Sequence, residues 1–338
     1  KIQFMTLSRR LFILISIFGL CAVFIILLST TQDVIDEHSQ TKGNATINND
    51  TTINYREFVR NQYQVYAIQM PASMTFAGET IPISNLDIKE RLDREFHINT
   101  YWHSQTFLFH KRSYRWFPII ERILQEEGVP DDFKYLCLIE SGLANVTSPS
   151  GAAGFWQFMK KTAIDYQLEV NEFIDERFHL EKATKAACEY LKKAKIQFKS
   201  WTLAAASYNM GKTGLNNRLR DQKVASYYDL HLNSETSRYV MRIIAAKYIL
   251  SESEFYGFKL RDKDVYRPYL VKKKMISKSV PDLYDFALKN NTTYRILKVL
   301  NPWILGSSLP ITEAKNYEVI LPENNGLLNE ENQDFKHD

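Results

Sequence analysis

A mainly α fold, with a helix fit to cross a membrane ahead of it and a small β-α-α-β module behind, is what this sequence predicts. Three observations carry that reading. An uncharged run of eighteen residues lies near the N-terminus, helical apolar stripes without strand alternation fill 115–255, and two β-like runs enclose two short helices after residue 265. Composition permits it, since 45% hydrophobic and 13% aromatic residues over 338 positions can build a packed core and exclude wholesale disorder. The net charge of +4 is mild and no basic block is dense, so nucleic acid is not expected as a partner.

The run at 11–28, "LFILISIFGLCAVFIILL", is about as long as a bilayer-crossing helix requires. Lys1, Arg9 and Arg10 precede it and Asp33, Asp36 and Glu37 follow, so residues 1–10 should stay cytoplasmic and the remainder should be exported. A cleaved signal peptide is the rival, but "LLSTTQD" offers a poor small-x-small cleavage site. Residues 29–54 are polar, nearly free of large apolar groups, and read as a flexible tether.

From 55 to 114 the pattern is mixed, a helical extension with one helix near 86–110. Pro118 opens a helix that ends at Gly128, and Pro130, Asp131 and Asp132 open the next. Further helices are expected near 159–167, 181–198, 202–209 and 236–250, making 115–260 one helical domain. In 265–322, "YLVKKKMIS" and "YEVILP" read as strands, with "SVPDLYDFALKNN" and "TTYRILKVLNP" as short helices between them. The tail 323–338 is polar. Cys137 and Cys188 fall on apolar helix faces, as buried free thiols do. No Cys/His cluster has metal-ligand spacing, so neither metal nor cofactor is expected.

One residue breaks the apolar pattern. Phe133, Leu136 and Cys137 occupy i, i+3 and i+4 of a helical stripe, and the i+7 position of that stripe is Glu140. A carboxylate aimed where a core side chain belongs is costly unless it stays protonated or lines a cavity. Three other segments could join it. In "GAAGFWQFM" (151–159), glycines allow close approach of backbone to a ligand, and Trp156 beside Gln157 offers a stacking plane next to an amide. In "AAASYNMG" (204–211), Tyr208 and Asn209 sit at a helix end, although Asn-x-Gly is also an ordinary helix stop. In "NSETSRYV" (233–240), Ser234 reads as an N-cap, and Glu235 and Tyr239 share a face at i and i+4. Singly, each has a plain structural explanation.

Together, in this order and spacing, the four segments resemble the lytic transglycosylases, the goose-lysozyme-like enzymes that cleave cell-wall glycan. The nearest likeness is to the membrane-bound D subgroup. "FPIIERILQEEGVPDDFKYLCLIESGL" and "FIDERFHLEKATKAACEYLK" add to the match, which covers roughly 80–260. Ser207 stands where the family usually has Ala, and His179 where Asp is common. The resemblance implies a lysozyme-like catalytic domain acting on peptidoglycan glycan strands from the periplasmic side of a bacterial inner membrane. It makes Glu140 the single acid and then base, with water excluded and 1,6-anhydro ends formed at the MurNAc–GlcNAc bond. It assigns Ser141, Gln157, Tyr208, Asn209, Glu235 and Tyr239 to orienting sugar and catalyst, and Trp156 and Phe158 to packing or stacking in the groove. A hydrolase of the same bond and a non-catalytic wall-binding scaffold are the alternatives. The C-terminal module faintly resembles a LysM domain that lacks its usual Gly-Asp-Thr-Leu opening.

Overall fold

The structure, a computed structural model, describes residues 65–311 and 315–323. The expected membrane helix at 11–28, the tether at 29–54 and nearly all of the tail lie outside the described residues. The described residues from Tyr66 onward belong to one compact unit, and no helix among them is long and apolar enough to cross a membrane.

Two short strands, β1 (Thr75–Phe76) and β2 (Glu79–Thr80), form a hairpin ahead of the helices. Helix α1 (Leu86–Tyr101) starts where the Asn85 side chain accepts from the Asp87 amide, and it buries Ile88, Leu92, Glu95, Phe96 and Asn99 on one face. Helix α2 (His103–Glu126) follows after a break at Trp102 and runs through Pro118. The helix expected to open at Pro118 is thus the second half of a longer one. Proline removes the donor to the Tyr114 carbonyl, but Tyr114 is on the exposed side, where water can reach that oxygen.

Helix α3 (Phe133–Ser141) sits in the core, with Phe133, Leu136 and Cys137 fully buried. Helices α4 (Lys160–Asp165), α5 (Leu180–Phe198), α6 (Trp201–Met210), α7 (Lys212–Gln222) and α8 (Ser234–Ser251) complete the helical body. The N-terminus of α6 is held from outside by Glu79, which accepts from the Trp201 and Thr202 amides at 2.6 and 3.0 Å and from the Ser200 and Thr202 hydroxyls. Burial alone would raise its pKa, yet these donors bring the carboxylate down to about 2. Asn233, one residue before the expected Ser234, caps α8 by accepting from the Thr236 amide at 2.8 Å. Along its length α8 packs against α1, joined by the ion pair of Arg238 with the buried Glu95 at 2.6 Å.

The C-terminal module has the expected order: β3 (Val271–Ile276), α9 (Leu283–Lys289), α10 (Tyr294–Leu300) and β4 (Tyr317–Pro322). The two strands pair antiparallel, from Val271 with Pro322 to Ile276 with Tyr317. Their inner faces close over a core of Leu283, Leu297, Trp303, Ile304 and Val319. Asn301 is buried there with its amide satisfied, donating to the Leu297 and Ile320 carbonyls and accepting from the Ile320 amide. Ile174, from the helical body, belongs to the same core cluster.

Candidate active site

Helix α3 ends at Gly142, whose φ of 61° is the left-handed cap that lets the chain turn directly after Glu140 and Ser141. That end is fixed from α2, because Arg112 donates to the Gly142 carbonyl at 2.9 Å. A side chain at 142 would press on Gln105, Phe109 and Arg112. Ser141 turns inward: its hydroxyl bonds the Cys137 carbonyl and accepts from the Leu143 amide, bracing the turn.

Glu140 is half-buried at the end of the apolar stripe, and the Tyr239 hydroxyl of α8 donates to its Oε1. Removal from water pushes the Glu140 pKa up from 4.5 to about 7; the Tyr239 hydrogen bond and the Arg242 charge pull it down, and the Glu235 carboxylate adds to the rise. Burial and the nearby Glu140 charge keep the Tyr239 and Tyr208 phenols well above their ordinary values, so both stay protonated donors. Burial keeps the Cys137 thiol, on the same helix, protonated too.

The segment 151–158 is a tight hairpin loop, with Ala153 and Phe158 bonded both ways at 3.1 and 3.2 Å, and it packs against α3, where the Cys137 thiol meets the Phe155 carbonyl at 3.5 Å. Gly154, at φ 79°, lies so close to the segment after 174 that a Cβ there would stand 1.8 Å from the Arg177 carbonyl oxygen. Gln157 adopts φ 49°, and its amide donates to the Val146 and Gly154 carbonyls at 3.0 and 2.8 Å. Trp156 is completely buried, its indole N–H donating to Thr184 at 2.9 Å. Of the two roles expected of it, packing or stacking, complete burial favours packing, because no face of the ring is open to a sugar. Phe158 is also buried, edge-on to Tyr208. Tyr208 in turn donates to the Trp156 carbonyl at 2.8 Å, tying α6 to the loop.

Beside the loop opens a cleft of about 660 Å³ whose wall includes Gln157, Phe158, Tyr166, Tyr208, Asn209 and Lys212. Glu140 is not on that wall; Tyr208 links the two. Asn209 stands at the end of α6, just before the stop at Gly211. Glu235 is exposed in the first turn of α8, while Tyr239, one turn on, is buried against Glu140. Of the expected residues, the fold thus gathers Glu140, Ser141, Tyr208 and Tyr239 around one point. Gln157 and Asn209 fall on the adjoining cleft.

Sequence reasoning missed the fixture beneath the loop. Arg177 donates to the Gly151 carbonyl at 2.8 Å and the Phe158 carbonyl at 3.1 Å, one at each end of the loop, and is gripped by Asp175 at 2.7 Å. The charged trio Asp175, Glu176 and Arg177 inside the apolar "FIDERFHL" was the available signal, and all three are buried. His179, where Asp was expected, still caps α5 by accepting weakly from the Lys182 amide, and burial lowers its pKa to about 4, leaving it neutral.

Residues 117–230 match the transglycosylase SLT domain, and 272–325 match the soluble lytic transglycosylase C-terminal LysM-like domain. The chain carries an SLT transglycosylase domain. It is homologous to membrane-bound lytic murein transglycosylase D of Escherichia coli K12, with 26% identity over 243 residues that cover 69% of this chain and 52% of the relative. The same figures hold for the enzyme of Escherichia coli O6:H1. The chain spans about half the length of these curated relatives. A solved structure of an inactive mutant of lytic transglycosylase Slt from Pseudomonas aeruginosa is similar at 17% identity and a TM-score of 0.32, over 45% of this chain and 26% of that one. The SLT match runs from the second half of α2 through Tyr227–Asp229 and so contains Glu140, the loop and the Tyr208–Asn209 pair; Glu235 and Tyr239 lie beyond it.

Proposed function

We propose that this protein is a lytic transglycosylase that cleaves the β-1,4 MurNAc–GlcNAc bond of peptidoglycan without water and leaves 1,6-anhydroMurNAc ends. The observation that carries this reading is Glu140, a carboxyl raised to about 7 at the end of an apolar stripe within an SLT domain. At neutral pH a large fraction of it is protonated and can donate to the glycosidic oxygen as the C1–O bond breaks. The resulting carboxylate then takes the proton of the sugar's own C6 hydroxyl while that oxygen closes on C1, so the proton returns to Glu140 and no water is consumed. Tyr239 holds the carboxyl in place and steadies its charged form during that second half. Tyr208 and Ser141 fix the backbone around it, and in this reading Gln157 and Asn209, on the adjoining cleft, and Glu235, exposed in the first turn of α8, orient the sugar. The LysM-like module supports binding to the same polymer.

The uncharged run at 11–28 and its flanking charges favour anchoring in the cytoplasmic membrane, with residues from Asp33 on in the periplasm. Hydrolysis of the same bond is the second reading, and Glu235, whose charge reaches Glu140, is the carboxylate that would serve as its base. Mass spectrometry of digested sacculi tests both. Anhydro ends, lighter by one water than reducing ends, support the lytic reaction; reducing ends lost in a Glu235→Gln variant support hydrolysis. Intact glycan refutes both.

A further inference from the structure

The C-terminal module does more than touch the helical body. Its backbone joins that of the segment just before Arg177. The Asp175 amide donates to the Trp303 carbonyl at 2.9 Å, the Leu305 amide donates to the Phe173 carbonyl at 2.8 Å, and Ile174 pairs with Ile304 as an antiparallel bridge. Residues 169–176 themselves fold back as a hairpin, with Val170 bridged to Asp175 and the Glu176 amide donating to the Glu169 carbonyl at 2.8 Å. The other arm of this hairpin is also held by the module: Tyr317 donates to Glu169 at 3.0 Å, and Lys315 pairs with the same carboxylate at 3.0 Å.

The hairpin leads straight into Asp175 and Arg177, and Arg177 fastens both ends of the loop 151–158. A bond network thus runs from β4 and the turn after α10, through the hairpin, to the loop whose Trp156 carbonyl accepts from Tyr208 and whose Phe155 carbonyl meets Cys137, both neighbours of Glu140. Its links are backbone bonds and the largely buried bonds of Arg177, with the partly exposed bonds of Tyr317 and Lys315 to Glu169 beside them, and the Arg177 guanidinium bonds Gly151, Phe158 and Asp175 at once.

We propose that Arg177 is a positioning residue for the loop 151–158, and that the LysM-like module sets its position through the hairpin 169–176, so that the module acts on turnover itself as well as on polymer binding. This rests on the transglycosylase reading above. It requires that turnover of short, soluble glycan, which needs no second binding site, depend on the module's seat. A loosened loop admits water to Glu140 and draws its ionisation towards that of an ordinary carboxyl. The groups that face Glu140, namely Tyr239, Arg242 and Glu235 on α8, Tyr208 on α6 and Cys137 on α3, are left intact by the variants below.

The test uses the full chain and soluble MurNAc–GlcNAc tetrasaccharide. Arg177→Lys keeps the charge but cannot bridge three partners, and kcat should fall about tenfold or more, with the alkaline limb of the pH–rate profile moving down by about one pH unit. Leu305→Pro removes the amide that donates to Phe173, and Tyr317→Phe removes the bond to Glu169. Both leave the loop and Arg177 untouched, and both should shift the limb the same way by less. Should Arg177→Lys fail to fold, these two decide the matter alone. Variants that match the wild type in kcat and limb overturn the proposal, as do variants that lose activity with the limb unmoved, the mark of general destabilisation. A wild type that leaves the tetrasaccharide and sacculi uncut refutes the transglycosylase reading instead.

Discussion

Replacing Glu140 by Gln should make the protein more stable at alkaline pH while destroying its activity. The reasoning starts from the raised pKa. A carboxyl that titrates at 4.5 in the unfolded chain and at about 7 in the fold binds its proton more tightly when folded. Its contribution to stability is fully present below pH 4.5, falls as pH rises through 7, and levels off beyond about 8. A shift of this size corresponds to about 3 kcal/mol between the two limits. Glutamine fills the same volume, can accept from Tyr239, and has no proton to lose, so the variant lacks this decline. All other titrating groups are shared and cancel in the difference. Urea unfolding of the two proteins from pH 4.5 to 8.5 measures it directly. Relative to the value at pH 4.5, the variant should gain up to about 3 kcal/mol over the wild type by pH 8.5, or roughly 6–12 °C in melting temperature for a domain of this size. Parallel stability curves would mean that Glu140 titrates like a surface carboxyl and would refute the reasoning. Turnover on sacculi should fall by about 10³-fold or more, the upper range for a lost general acid.

Three further outcomes are expected. Tyr239→Phe removes a hydrogen bond that favours ionised Glu140, so the alkaline limb of kcat/KM should move above pH 7; a limb that stays or falls contradicts the assignment of that bond. Gly154→Ala sets a methyl group 1.8 Å from the Arg177 carbonyl and should lower stability by about 3 kcal/mol or more with loss of activity, whereas a melting temperature within about 2 °C of wild type would show that the close approach is not real. Glu79 titrates at about 2 and so supplies stability above pH 4.5 that is lost as pH falls towards 2; Glu79→Gln should cost about 1–3 kcal/mol at pH 7 and flatten that acid-side decline in urea unfolding.

Glu140 was legible in the sequence because it violates a pattern: three apolar neighbours define a face, and a charge on that face needs a reason. The order of the C-terminal module was legible because its strands and helices each carry their own period. Other parts left no such trace. Helix α7 was not foreseen, since Leu215 is its only buried residue and Gly214 interrupts it, so it has no apolar stripe to read. The break at Trp102 carries no glycine or proline, whereas Pro118, which does signal a boundary, lies inside α2. Trp156 next to Gln157 in a glycine loop looks the same in sequence whether its ring faces a ligand or the core. Only the packing of the loop against Thr184 decides it. The Arg177 fixture is made of contacts to backbone carbonyls 19 and 26 residues away, which no local pattern encodes.

Unfavourable features gather where this chemistry is proposed. Glu140 gives up hydration, and Leu143 and Gln157 both hold left-handed backbone at φ of 55° and 49°, a conformation that disfavours side chains other than glycine. None of the three helps the fold, so each must be held by its surroundings. For Leu143 the restraint is complete burial plus the Ser141 hydroxyl that accepts its amide. For Gln157 it is the pair of carbonyls that accept its own amide side chain, together with a loop fastened at both ends by Arg177. For Glu140 it is Tyr239, delivered by a helix that is itself pinned to α1 through Arg238 and the buried Glu95. Leu143 and Gln157 are thus held partly by their own neighbours, Ser141 and Gly154, while the restraint on Glu140 and on the loop's two ends comes from other elements, α8 and the 169–177 segment. Separately folded pieces of this chain could not keep the carboxyl poised, because whichever piece held Glu140 would lack the groups that hold it in place.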